Sequence, residues 1–188
     1  MSLADGHLME AGRSVLVVVD VQEAFMPVMH DTDRMLNNIR RLLACARICR
    51  VPVIATTQYA EKLGPTHQSL LEFLDGDPID KLTFSCMGSP QFKSSLKTMP
   101  DRTQVAICGL ETHVCVNQTV HDLLDEGYLV HVAADAVTSR TELNWKHGLV
   151  RMDHVGATIS SSESVIFEWL RRAGTPEFKE AAAWIKNV

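Results

Sequence analysis

The sequence predicts an α/β protein, a parallel sheet covered by helices on both faces. Three observations carry this expectation. Residues 14–20 form a continuous β-branched run, apolar residues at helical spacing follow it, and the same strand-then-helix alternation repeats to the end of the chain. At 188 residues the chain has the length of one ordinary domain, so a single domain over 1–188 is expected.

The first strand reads Ser14-Val15-Leu16-Val17-Val18-Val19-Asp20, apolar from Val15 until the acid at its carboxyl edge. Such a run suits a strand buried on both faces. From Asp33 onward, Met35, Leu36, Ile39, Leu42, Leu43 and Ala46 recur at helical spacing, and Pro52 ends the pattern by disfavouring a helical Val51. A strand over 53–57, a helix near 66–74, a strand near 81–84, a helix near 91–96 and a strand over 104–108 come next. The helix after Gly109 runs to about residue 126 on the stripe Val116, Val120, Leu123 and Leu124, with Gly127 as its stop. A strand over 129–134, a helix over 142–154, a short strand at 157–159 and helices over 163–172 and 176–186 complete the reading. No repeat, low-complexity stretch or interdomain linker interrupts it.

Composition narrows the function classes. The net charge of −5 is spread along the chain without a basic stripe, so nucleic acid and anionic membranes are not expected partners. The first residues lack a basic start and an apolar core, and no apolar run approaches the roughly 20 residues of a spanning helix. Five cysteines in a chain with strong hydrophobic periodicity suit free thiols in a reducing compartment, and the cytoplasm is the expected location.

In an open parallel sheet, ligands bind at the carboxyl ends of the strands, near the point where strand order reverses. Asp20, Lys81 and Cys115 all fall at or just beyond strand ends. Cys115 lies in the opening turn of a predicted helix, where free N–H groups and a nearby ammonium favour a thiolate. Asp20 is placed to take the thiol proton and return it to a leaving group. The backbone amides of Glu111 and Cys115 are candidates for an oxyanion hole, worth about 3 kcal/mol per donor. Cysteines are more often buried packing than nucleophiles, and Cys45, Cys49 and Cys108 read that way; Cys86 reads as a loop residue open to exposure. His113, two residues before Cys115, is expected to point away from it. Trp145, Arg140 and Arg151 suit either a subunit interface or a structural network.

The ordered set of segments resembles the isochorismatase-like cysteine hydrolase family. The matching pieces are Val18-Val19-Asp20-Val21-Gln22 with Phe25, Lys81-Leu82-Thr83-Phe84-Ser85, Gly109-Leu110-Glu111-Thr112-His113-Val114-Cys115, Asp135 to Arg140, Leu149 to Met152, and Gly156 to Glu163. The resemblance implies a Rossmann-like three-layer α/β/α sandwich with about six parallel strands, an Asp20, Lys81 and Cys115 triad, a cis peptide at Leu110–Glu111, and homo-oligomers with sites near subunit interfaces. Relatives that hydrolyse nicotinamide carry one Asp and two His as metal ligands after the second strand. This chain has Thr57-Gln58-Tyr59 and a single His67 there, so no metal or other cofactor is expected. Relatives that cleave isochorismate use the aspartate alone, so Cys115 argues for acyl transfer. The expected activity is therefore hydrolysis of a small amide or related acyl compound through a thioester, with Phe25, Gln58, Tyr59 and Phe84 lining the pocket. An idle oligomeric scaffold and a vinyl-ether hydrolysis driven by Asp20 are the alternatives.

Overall fold

The computed structural model describes residues 8–186. Six strands form one parallel sheet: β1 Ser14–Val19, β2 Val53–Gln58, β3 Ile79–Lys81, β4 Gln104–Leu110, β5 Leu129–Thr138 and β6 Thr158–Ser160. Their order across the sheet is β3-β2-β1-β4-β5-β6, so the chain reverses direction of growth between β1 and β4. The helices are α1 Thr32–Ile48, α2 Ala60–Leu63, α3 Gln68–Leu71, α4 Pro90–Lys97, α5 Asn117–Asp125, α6 Glu142–His154, α7 Ser162–Leu170 and α8 Pro176–Ile185.

Each residue of β1 is buried. Leu16 and Val18 pack with Ile39, Leu42 and Leu43 of α1, Val165 and Trp169 of α7, and Ala181 of α8. Val15, Val17 and Val19 face the other way, among Phe92 of α4, Val120 and Leu123 of α5 and Met152 of α6. Successive side chains of a strand point to opposite faces, so a strand between two helical layers must be apolar throughout. The continuous run and the three-layer sandwich are one fact seen at two levels.

Four elements differ from the expectation. β5 continues to Thr138 although residues 133–136 read Ala-Ala-Asp-Ala. A register shift opposite the segment between Ile107 and Gly109 loosens it from a regular ladder, and the Arg34 guanidinium donates to the carbonyls of Ala134, Asp135 and Val137. Pairing and a distant arginine hold what local propensity does not. β3 ends at Lys81 instead of starting there, because the chain then turns back to offer the Thr83 and Phe84 carbonyls to that lysine. In the 66–74 region only Gln68–Leu71 is helical. Finally, the helix after β4 opens as a π-helical turn, Thr112–Val116, before α5 begins. Gly127 stops α5 as expected, at φ 86°.

Gly109 sets how closely the two central strands approach. It sits opposite Val19 at φ 111°, and a Cβ there would lie 2.1 Å from the Val19 carbonyl oxygen. Only glycine fits. The expected cis peptide Leu110–Glu111 follows directly.

Candidate active site

β1 and β4 are neighbours at the reversal of strand order, and the segments leaving their carboxyl ends build one site. Asp20 leaves β1 at φ 51°, a left-handed conformation that aspartate tolerates better than a β-branched residue. Its N–H donates to the Thr56 carbonyl at 3.2 Å, and the Thr56 hydroxyl donates to its Oδ1 at 2.7 Å. Lys81, the last residue of β3, donates from Nζ to Asp20 Oδ2 at 2.6 Å. Both side chains are 1% exposed.

A buried ammonium is tolerable only when its donors are all used. Lys81 Nζ also reaches Gln58 Oε1 at 2.8 Å, the Phe84 carbonyl at 3.1 Å and the Thr83 carbonyl at 3.2 Å. Gln58 is held in turn, its Nε2 donating to the Leu82 carbonyl and its N–H to Gln22 Oε1. Gln22 completes the frame by donating to the carbonyls of Gln58 and Gly64. Thus Gln58 does two things, bordering the pocket and fixing the lysine.

Cys115 lies on the π-helical turn, its thiol close enough to the Asp20 carboxylate to feel its charge. A cavity of about 270 Å³ opens above it, lined by Asp20, Phe25, Gln58, Leu63, Phe84, Leu110, Glu111, Val114, Cys115 and Arg140. A larger cleft of about 490 Å³ runs between Pro52–Ala55 and α4, but it carries no thiol and no buried charge. Asp20 and Cys115 line the smaller one.

Burial, and then the charge of Asp20, push the Cys115 thiol well above the ordinary thiol range, and Lys81 opposes them only in part. The expectation of a thiolate is therefore corrected. The ammonium already contacts Asp20, so the negative charge of the site rests on the carboxylate and the sulfur keeps its proton. Because the shift is upward, the thiolate fraction of Cys115 stays below that of a free thiol at neutral pH. Alkylation of Cys115 by iodoacetamide, followed by peptide mass spectrometry, is expected to be slower than that of a free cysteine at pH 7 and to keep rising beyond pH 9. A plateau reached below pH 7 would contradict the protonated resting state.

Of the residues singled out from sequence, the structure brings Asp20, Lys81, Cys115, Phe25, Gln58, Phe84 and Glu111 together. Tyr59 is not with them. It is 40% exposed, begins α2 at φ 44°, and contributes its N–H to the Lys81 carbonyl. Cys86 is fully buried, its Sγ 3.7 Å from Thr56 Oγ1, so the expected loop exposure is also corrected. His113 pairs its Nδ1 with Ser139 Oγ at 2.9 Å and stays off the cavity wall. Arg140 belongs to that wall: Glu111 Oε2 accepts from its N–H and its Nε, both at 3.1 Å. Trp145 instead serves structure, donating to the Ala134 carbonyl beneath the Arg34 guanidinium. Leu63 and Val114 were missed because nothing in their sequence setting distinguishes them from packing. His67 meets Ser69 and Glu23, and among the described residues no cluster of three or more His, Cys, Asp or Glu side chains is placed to hold a metal ion.

Residues 14–164 match the isochorismatase domain family. The chain belongs to that family. Among relatives of this isochorismatase-family chain is the secreted isochorismatase effector Isc1 of Phytophthora sojae, 43% identical over 179 residues, covering 93% of this chain and 85% of that protein. Isochorismatase domain-containing protein 2 of Danio rerio is 39% identical over 176 residues, covering 93% and 87%. The fold matches the structure of the MAR1 ribonuclease from Caenorhabditis elegans at TM-score 0.89 and 36% identity, over 95% of this chain and 92% of that one. The family makes this chain a hydrolase by kinship. No helix among the described residues is long and apolar enough to cross a membrane.

Proposed function

We propose that this chain is a metal-independent cysteine hydrolase that cleaves a small amide or related acyl compound through a thioester on Cys115. One observation carries the reading. At the floor of an otherwise mostly apolar cavity, a single carboxylate, Asp20, is bonded to a buried ammonium and borders the same cavity as the Cys115 thiol.

In the forward half-reaction, Cys115 Sγ attacks the acyl carbon while its proton passes to Asp20. The oxyanion is met by the backbone amides of Glu111 and Cys115, whose residues border the cavity. Collapse breaks the bond to the leaving group, which takes the proton from Asp20. Water then attacks the thioester, delivering one proton to Asp20 and from there to the sulfur. Lys81 does not exchange protons. It holds the carboxylate charge in place, keeping Asp20 a base in a site that water does not solvate.

Phe25, Phe84, Leu63 and Val114 suit an apolar acyl portion, and Arg140 offers a cation to a polar or anionic substituent at the rim. A cavity of about 270 Å³ with one cation on its wall fits a small molecule better than a polyanion, which needs a track of several. The compartment we favour is cytoplasmic, supported by five free thiols among the described residues. The test is a panel of small amides and esters, with an RNA oligonucleotide beside them, scored for ammonia, acid or strand release and for an acyl adduct on Cys115 by mass spectrometry. Turnover with an adduct supports the thioester; turnover that never passes through an adduct and survives loss of the thiol supports hydrolysis by Asp20 alone.

We further propose a homo-oligomer. Leu82 and Phe84 are 70% and 54% exposed beside the cavity mouth, an apolar rim that a second copy would cover. Sedimentation velocity is expected to show an assembly larger than the monomer, and a monomer throughout would rule it out.

A further inference from the structure

We infer that Thr56, backed by the thiol of Cys86, is a positioning residue for the reaction, the group that, opposite Lys81, fixes the orientation of the Asp20 carboxylate that serves as the base. This rests on the cysteine-hydrolase reading above.

Asp20 has two carboxylate oxygens, and a donor fixed on each sets the orientation in which the carboxylate meets Cys115. Oδ2 takes the Lys81 ammonium at 2.6 Å. Oδ1 takes the Thr56 hydroxyl at 2.7 Å, and Thr56 is 1% exposed, so no water competes for that bond. The hydroxyl has one proton to give, and it goes to Oδ1, so toward its other neighbours Oγ1 acts as acceptor, taking the Asp20 N–H at 3.3 Å. Cys86 Sγ stands 3.7 Å from Thr56 Oγ1 with no solvent exposure. Burial raises that thiol to about 11, so it keeps its proton and can donate. The result is a directional chain, Cys86 S–H to Thr56 O–H to Asp20 Oδ1.

The same segment is tied to the nucleophile. Cys86 N–H donates to Thr119 Oγ1 at 2.9 Å, and Thr119 Oγ1 donates to the Cys115 carbonyl at 2.7 Å. The turn that carries Cys86 therefore spans from the base to the turn that carries the attacking sulfur. The charged and titratable partners reaching Asp20 and this chain are Lys81 from β3, Cys86 from the turn after it and Cys115 from the π-helical turn.

The chain also accounts for the moment at which Asp20 holds the proton. A hydroxyl both donates and accepts, so Thr56 can rotate to receive Oδ1–H and turn its own proton toward Cys86 Sγ. Asp20 thus keeps a hydrogen-bond partner in both protonation states, and no proton leaves the set. Valine has the shape of threonine without the hydroxyl, whereas serine keeps it.

The experiment uses p-nitrophenyl acetate as the probe, reading p-nitrophenolate release and acetylation of Cys115 by mass spectrometry. Thr56→Val is expected to slow acylation about tenfold with KM little changed, and Thr56→Ser to restore most of the rate. Cys86→Ala, which removes the donor behind the hydroxyl, is expected to slow it two- to fivefold in a folded protein. Circular dichroism and thermal unfolding confirm folding of each variant, and Thr56→Ser, the smaller structural change, keeps the comparison usable if the valine variant is unstable. If Cys115 becomes acetylated but the folded valine variant acylates at the parental rate, or if serine acylates as slowly as valine, the positioning role is overturned while the thioester reading stands. If Cys115 never carries the acetyl group in the parent, it is the thioester reading that fails.

Discussion

Replacing Cys115 by alanine is expected to lower kcat/KM toward any acyl substrate found by at least about 10³-fold, roughly 4 kcal/mol of transition-state stabilisation. Every bond made to the acyl carbon in the first step is made by this sulfur, and Asp20, held by Lys81 and Thr56, is oriented to serve it. Stability should change little by comparison, since a thiol is a small side chain and its loss leaves only a small void. Kinetics of the purified variant, beside its thermal unfolding, check both parts. Activity above a few per cent of the parent would remove Cys115 from the mechanism and favour chemistry run by Asp20.

Lys81→Met is expected to be the more damaging change to the protein as a whole. Methionine matches the length of the side chain but leaves Asp20 as a buried carboxylate without its cation, and Gln58, Thr83 and Phe84 without a donor. Splitting a buried pair costs about 3–5 kcal/mol, because the remaining charge has neither partner nor water. The variant has two ways to respond. It unfolds more easily, or Asp20 takes up a proton and is no longer a base; both predict loss of turnover by about 10²-fold or more. Chemical denaturation and steady-state kinetics measure the two effects together. Full activity with unchanged stability would mean that the ammonium neither holds the fold nor the carboxylate. The double variant Asp20→Asn with Lys81→Met should regain stability without regaining activity, since it removes both charges at once.

Much of the site could be read before any coordinates. Asp20 stands out because it is a charged residue at the end of an apolar strand, where burial is otherwise costly, and Lys81 through the resemblance of its segment to the family. Cys115 stands out because a glycine at 109 marks the end of β4 and a helical stripe starts just after it. What could not be read was how these groups share charge. A helix start and a nearby lysine suggest a thiolate, but the lysine is bonded to Asp20 and the sulfur is buried, and only the folded arrangement says which electrostatic effect wins. Tyr59 is instructive in the same way: one residue from Gln58, it faces elsewhere because neighbouring positions past a strand end do not share a side. Arg140 was visible as a motif residue, yet its place on the cavity wall depends on Glu111 reaching it across 29 positions of sequence.

The amino-acid sequence by itself determined the layers of this protein and the order of its elements, because burial on two faces forces a continuous apolar strand and burial on one face forces a helical stripe. Both are local patterns with a fixed period. It also determined which reactive side chains stand at strand ends. Tertiary structure alone decided which of them meet, and that burial and the charge of Asp20 outweigh the nearby lysine at the thiol. Those outcomes depend on distances between segments far apart in the chain, such as the 36 residues from Asp20 to Thr56 and the 61 from Asp20 to Lys81, and on the exclusion of water that makes each of those contacts count.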